Sequence, residues 1–126
     1  MEAILGFLNK MERVLIAGGT GFIGQKLAND LLSHGFQVTV LSRLNSVHND
    51  KIEAITCDVA DIAELRKKVK DKKFDIVINS IGYVDHSSFG SLLEQDIFNQ
   101  HFMALKNLTD VCKNFNLKRF IQIGSS

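Results

Sequence analysis

The run Arg13-Val14-Leu15-Ile16-Ala17 passes without a break into Gly18-Gly19-Thr20-Gly21-Phe22-Ile23-Gly24. A short apolar run that opens onto glycines predicts a buried parallel strand. Ile23, Leu27, Leu31 and Leu32 then recur at helical spacing, and Gly35 stands where such a helix would end. A glycine inside a helix or strand costs roughly 0.5–1 kcal/mol relative to alanine. Four glycines among seven residues therefore belong to a turn whose backbone needs them. A strand, a glycine turn and a helix in immediate succession leave few folds open.

The rest of the chain repeats the alternation. Phe36 to Leu41 reads as a second strand, residues 43–50 as a polar loop, and Ile52 to Cys57 as a third strand. Asp61 with Glu64 forms a capping-box-like helix start, with Asp in place of Ser or Thr. Ile62, Leu65 and Val69 are the buried stripe of that helix. Lys67, Lys68 and Lys70 lie among Asp61, Glu64, Asp71 and Asp75, which marks a solvated face rather than a nucleic-acid patch. Phe74 to Ile78 is a fourth strand and Tyr83 to Gly90 a loop. A long helix is expected over Leu92 to Phe115, with Ile97, Ala104, Leu105, Leu108, Val111, Cys112 and Phe115 inward. Arg119 to Ile123 is the fifth strand. Such alternation predicts an α/β fold, a doubly wound parallel sheet with helices on both faces.

Composition sets the outer bounds. A chain of 126 residues has room for one domain, and 45% hydrophobic with 23% charged residues is ordinary globular usage. Its net charge of +1 supplies no field that would attract nucleic acid or an anionic membrane. Cys57 and Cys112 fit no metal spacing and fall in apolar stretches, so they read as reduced core residues and point to a reducing, cytoplasmic compartment. No 18-residue apolar run offers a membrane span. Residues 1–10 read as a short extension, with Met11 as an alternative start, before a domain over 11–126. Ile121 to Ser126 carries a strand into a Gly-Ser-Ser turn, the expected signature of a fold cut after its fifth strand.

The glycines carry the chemistry. Gly19, Gly21 and Gly24 satisfy Gly-x-Gly-x-x-Gly, and Gly18, Gly21 and Gly24 satisfy Gly-x-x-Gly-x-x-Gly. Between a strand and a helix, such a turn binds a dinucleotide. One glycine permits the tight turn, Gly21 lets the backbone approach a pyrophosphate, and Gly24 lets the helix pack against the strand. Gly18, Thr20, Gly21, Phe22, Ile23 and Gly24 are thus candidate cofactor residues, with the anion held by amides at the helix start. An NAD site usually ends its second strand on an acid; here Ser42 and Arg43 stand there, and no acid occurs between Asp30 and Asp50. An arginine pairs with a 2′-phosphate, which favours NADP over NAD, unless Arg43 is only a solvated loop residue. Asp58, followed by Val59, either bonds the adenine amino group or turns the chain into the next helix. Ser80, Ile81 and Gly82 follow the fourth strand at the end that faces the ligand crevice.

On these residues the chain resembles the N-terminal half of a short-chain dehydrogenase/reductase, of the extended NAD(P)-dependent epimerase/dehydratase group. The resemblance runs from about Arg13 to Ser126 and rests on residues 18–24, Cys57-Asp58-Val59, Asn79-Ser80-Ile81-Gly82 and Arg119 to Ser126. It implies a Rossmann sheet of order 3-2-1-4-5 and a cofactor-binding part of an enzyme that works by hydride transfer on a nucleotide sugar. It also implies that Ser125, with Ser126 as fallback, bonds the reacting substrate oxygen, and that a homodimer forms through the helix from Leu92. The departures are specific. Asn107-Leu108 match the family's Asn-x-x-Gly-Thr-x-Asn-Leu helix, but His101, Ala104 and Leu105 replace its other places. Tyr83 is the sole tyrosine and Ser87 stands four residues on, so the family's Tyr-x-x-x-Lys is expected beyond Ser126 and the chain alone is expected to be inactive. Two other readings are a non-catalytic NAD(P)H sensor or assembly subunit, and a simple phosphate or mononucleotide binder such as a flavin protein.

Overall fold

A computed structural model describes residues 12–18, 22–44, 49–81 and 91–123. Five strands, β1 (Arg13–Ala17), β2 (Gln37–Ser42), β3 (Glu53–Thr56), β4 (Ile76–Asn79) and β5 (Arg119–Gln122), form one sheet in the order β3-β2-β1-β4-β5. Every pairing is parallel, with Arg13 beside Gln37, Val14 beside Ile76, Thr39 beside Glu53 and Ile76 beside Arg119. Among the described residues the helices are α1 (Phe22–Ser33), α2 (Ile62–Val69) and α3 (Ser91–Cys112). This is the predicted Rossmann order.

Alternate strand residues face opposite sides, so one sheet builds two cores. Val14, Ile16, Val38, Val40 and Ile78 form one core, with Ala28 and the half-buried Leu27, Leu31 and Leu32 of α1. Leu15, Ala17, Leu41, Ile55 and Val77 form the other, with Leu65 and Val69 of α2 and Ala104, Leu108 and Val111 of α3. Burial on both faces explains why Val14 to Ala17 of β1 are all apolar rather than alternating. Phe74 and Phe115 meet edge to face in the second core, with ring centroids 5.3 Å apart.

Element ends differ from expectation for local reasons. Gly35 has φ +92° and ends α1: its N–H donates to the Leu32 carbonyl, while Phe36 N–H reaches back to Leu31. Phe36 therefore belongs to the helix stop, and β2 starts one residue later. The chain contains no proline. After α2 and α3 the left-handed residues are Asp71 (φ 65°) and Asn116 (φ 57°), polar types that tolerate this conformation. Asp61 caps α2 as expected, its Oδ1 accepting from the Ala63 and Glu64 amides at 3.1 and 3.2 Å. The Asp61 N–H itself is taken by the Asp58 carbonyl, 3.0 Å away. Lys67, Lys68 and Lys70 are exposed, as a solvated face requires.

Candidate functional site

In a parallel sheet all strands end at one edge, and the crevice opens where neighbouring connections leave in opposite directions. Here that point lies between β1 and β4. β1 leads to α1 on one face, whereas α3, which follows β4, packs on the other. Main-chain bonds draw the strand ends together at this edge. Gly18 N–H donates to the Leu41 carbonyl at 2.8 Å, Cys57 N–H to the Ser42 carbonyl at 2.8 Å, and Ser80 N–H to the Ala17 carbonyl at 2.9 Å. Gly18, Ser42, Asp58, Ser80 and Ile81 thus occupy one rim although they are scattered through the sequence.

Gly18 is the tightest point of that rim. Its φ is +82°, and a Cβ there would lie 3.0 Å from both Cγ1 and N of Ile81 and 3.1 Å from Ser80 Oγ. A side chain there would crowd Ser80 and Ile81 just past β4, and the positive φ itself favours glycine. The first turn of α1 carries no acid, and Phe22 is 85% exposed. A helix start without a carboxylate suits an anion. Gly24 is buried, as close packing of α1 on the sheet requires, and Ile23 is half-buried. These residues fit a diphosphate at the turn. Thr20, Gly21, Gly82 and Ser125 lie outside the described residues, as do Gly19 and Ser126.

The other predicted residues divide by what their polar atoms do. Ser42 Oγ donates to the Leu44 carbonyl and shapes the loop after β2, while Arg43 is exposed there. Asp58 is exposed, and its Oδ1 accepts from Ala60 N–H at 3.0 Å in a side-chain-closed turn. Asp61, not Asp58, caps α2. Val59 contributes a buried side chain to the core beneath α2 and α3. Ser80 Oγ donates toward the carbonyls of Ala17 at 2.8 Å and Gly18 at 3.2 Å.

Two buried asparagines, marked in the sequence only as parts of longer motifs, tie this rim together through partners the sequence did not show. Asn107, 3% exposed, donates from Nδ2 to the Val59 carbonyl at 2.9 Å and fastens the β3–α2 connection to α3. Its signal was an asparagine inside the apolar stripe Ala104, Leu108, Val111. Asn79, 2% exposed, donates to Gln122 Oε1 at 2.8 Å and accepts from Ile81 N–H at 3.0 Å. The sequence placed Asn79 at the crevice end of the fourth strand but gave no sign of its partner, because Gln122 lies on another strand.

Cys57 and Cys112 are free and buried. Burial pushes both thiols up to about 11, helped at Cys57 by Glu64, Asp58 and Asp61. Neither is an activated nucleophile. An open groove lined by Arg13, Thr39, Glu53, Lys72 and Phe74 lies at the opposite edge, where the strands begin, and is separate from this rim.

Comparison with known proteins agrees with the geometry. A model of the NAD dependent epimerase/dehydratase family matches residues 14–126. The dTDP-D-glucose 4,6-dehydratase of Dictyostelium discoideum is 31% identical, over 91% of this chain and 29% of that protein. The bifunctional UDP-glucose 4-epimerase and UDP-xylose 4-epimerase 3 of Arabidopsis thaliana is 25% identical, over 91% of this chain and 37% of its own length. The crystal structure of a UDP-galactose 4-epimerase superposes with a TM-score of 0.72 at 24% identity, covering 90% of this chain and 38% of that one. A short-chain dehydrogenase from Leptospira borgpetersenii, solved with bound NAD+, gives a TM-score of 0.64 at 22% identity, over 80% of this chain and 44% of that one. The chain thus spans less than half the length of these relatives. With a five-stranded Rossmann sheet and a glycine turn at its switch point, the chain belongs to the NAD-dependent epimerase/dehydratase family, whose cofactor is a nicotinamide dinucleotide.

Proposed function

We propose that this chain is the coenzyme-binding part of an oxidoreductase of the epimerase or dehydratase type, with NADP preferred to NAD. One observation carries the reading: the left-handed, side-chain-excluding turn at Gly18 leads into an acid-free helix start at the carboxyl edge of the sheet. Gly18, Thr20, Gly21, Phe22, Ile23 and Gly24 would hold the diphosphate through main-chain amides. Asp58 and Val59 would border the adenine, and the segment Ser80-Ile81-Gly82 the nicotinamide side of the crevice. When bound, the nicotinamide accepts a hydride and can return it. Ser125 would bond the reacting oxygen of the substrate. A nucleotide sugar is the proposed substrate class, supported by the names of the dTDP- and UDP-sugar relatives. Residues 1–126 hold no Tyr-x-x-x-Lys, so the chain by itself should bind coenzyme without turnover.

The preference for NADP rests on Arg43, exposed just past β2 with no carboxylate at the end of that strand. Titration of the chain with NADPH and NADH, followed by nicotinamide fluorescence, tests it. Arg43→Ala should weaken NADPH about tenfold and leave NADH nearly unchanged. Equal loss for both would show that Arg43 does not read the 2′-phosphate. Homodimerisation through α3 is part of the same reading, supported by Phe102 and Met103, exposed on that helix. Two unpaired buried thiols suit a reducing compartment, and the cytoplasm is the proposed location.

A further inference from the structure

Ser80 sits where β4 has ended and the crevice begins, yet its hydroxyl faces the protein. Its single proton is shared between the Ala17 and Gly18 carbonyls, 2.8 and 3.2 Å away, and its N–H also donates to the Ala17 carbonyl at 2.9 Å. A hydroxyl has one proton to give, so this one is already committed to main chain. The carbonyls that receive it belong to the residue before the left-handed glycine and to that glycine itself. Gly18 is left-handed, its N–H is held by the Leu41 carbonyl, and its carbonyl is held by Ser80.

Ser80 is in turn fixed on both sides. The buried Asn79 amide bonds Gln122 on the neighbouring strand and the Ile81 N–H beyond Ser80. Ile81 then closes against Gly18, where a Cβ would meet its Cγ1 and N at 3.0 Å. One connected set of bonds therefore runs from β5 through Asn79, Ser80 and Ile81 to the first residue of the glycine turn. A buried amide such as Asn79 is costly unless partnered, and its partners here are Gln122 on β5 and the Ile81 N–H.

We propose that the Ser80 hydroxyl is a positioning group, not a coenzyme contact. It clamps the main chain at Gly18, where the chain leaves β1, with Asn79 and Gln122 holding the clamp in place. This rests on the dinucleotide reading above, and the test separates the two. Ser80→Ala removes the hydroxyl and Ser80→Thr keeps it. Two quantities are measured on the whole chain: NADPH affinity, and amide hydrogen exchange of the segment 13–24 without coenzyme. Ser80→Ala should weaken NADPH by about three- to tenfold, the worth of one net hydrogen bond. It should also speed exchange in that segment of the coenzyme-free chain, and Ser80→Thr should restore both. Weaker NADPH binding with unaltered exchange would overturn the proposal, because the hydroxyl would then touch the coenzyme directly. Faster exchange with unaltered affinity would overturn it as well, leaving only a structural bond. An unsubstituted chain that binds no NADPH would instead sink the dinucleotide reading, while the exchange arm would still report on the clamp.

Discussion

Gly18 and Gly35 both hold positive φ, at +82° and +92°, but their surroundings differ. A Cβ at Gly35 would meet nothing within 4 Å, whereas at Gly18 it would meet the backbone of Ile81 at 3.0 Å. Gly35→Ala should therefore cost only the conformational term, about 1 kcal/mol, and leave coenzyme binding intact. Gly18→Ala adds to the same conformational term a contact tighter than a Cβ ordinarily makes, so a loss of about 2–3 kcal/mol is expected. Coenzyme binding should fall with it. Urea unfolding of both variants checks the difference; equal costs would mean that Gly18 is not crowded. The need for glycine at the turn was legible in the spacing 18, 21, 24. What crowds Gly18 was not, because Ser80 and Ile81 arrive from more than sixty residues away in the chain. The same distance in sequence hid the direction of the Ser80 hydroxyl.

Helix and strand limits follow mostly from side chains near in sequence. Asp61 was readable as a cap because its donors, the Ala63 and Glu64 amides, are two and three residues on. Asp61→Ala should destabilise the chain by about 0.5–2 kcal/mol, measured by thermal or urea unfolding, with coenzyme affinity unchanged. A loss of affinity of similar size would instead tie α2 to the crevice. The full capping box was not realised, since the Asp58 carbonyl occupies the Asp61 N–H before Glu64 could reach it. The end of α3 was read three residues late, at Phe115 rather than Cys112. Phe115 is buried and fits the apolar stripe, yet its N–H turns back to the Cys112 carbonyl at 3.0 Å and the left-handed Asn116 follows. Burial and helical conformation are separate properties, and the pattern of apolar residues reports only the first.

At the scale of the whole molecule, the two buried thiols link stability to alkaline pH. Each has an ordinary value of 9.0 and is raised to about 11 in the fold. Below about pH 9 both are protonated in the folded and unfolded chain and nothing changes. Between about 9 and 11 the unfolded chain loses these protons while the folded chain keeps them, so stability falls as pH rises through that window. Melting temperatures measured from pH 7 to 11 should drop more steeply for the native chain than for a Cys57→Ala, Cys112→Ala double variant. Parallel profiles would show that the thiols are not the cause. Among the described residues, no helix is long and apolar enough to cross a membrane. By itself the sequence determined the alternation of strands and helices, the glycine spacing and the place of Ser42 and Arg43 at the end of β2, because each depends on residues close along the chain. Only the tertiary structure decided which atoms meet at the rim: Asn79 with Gln122, Asn107 with the Val59 carbonyl, Ser80 with Gly18. A parallel sheet brings together strand ends that are distant in sequence, and hydrogen bonds across that distance leave no periodic trace in the residues that make them.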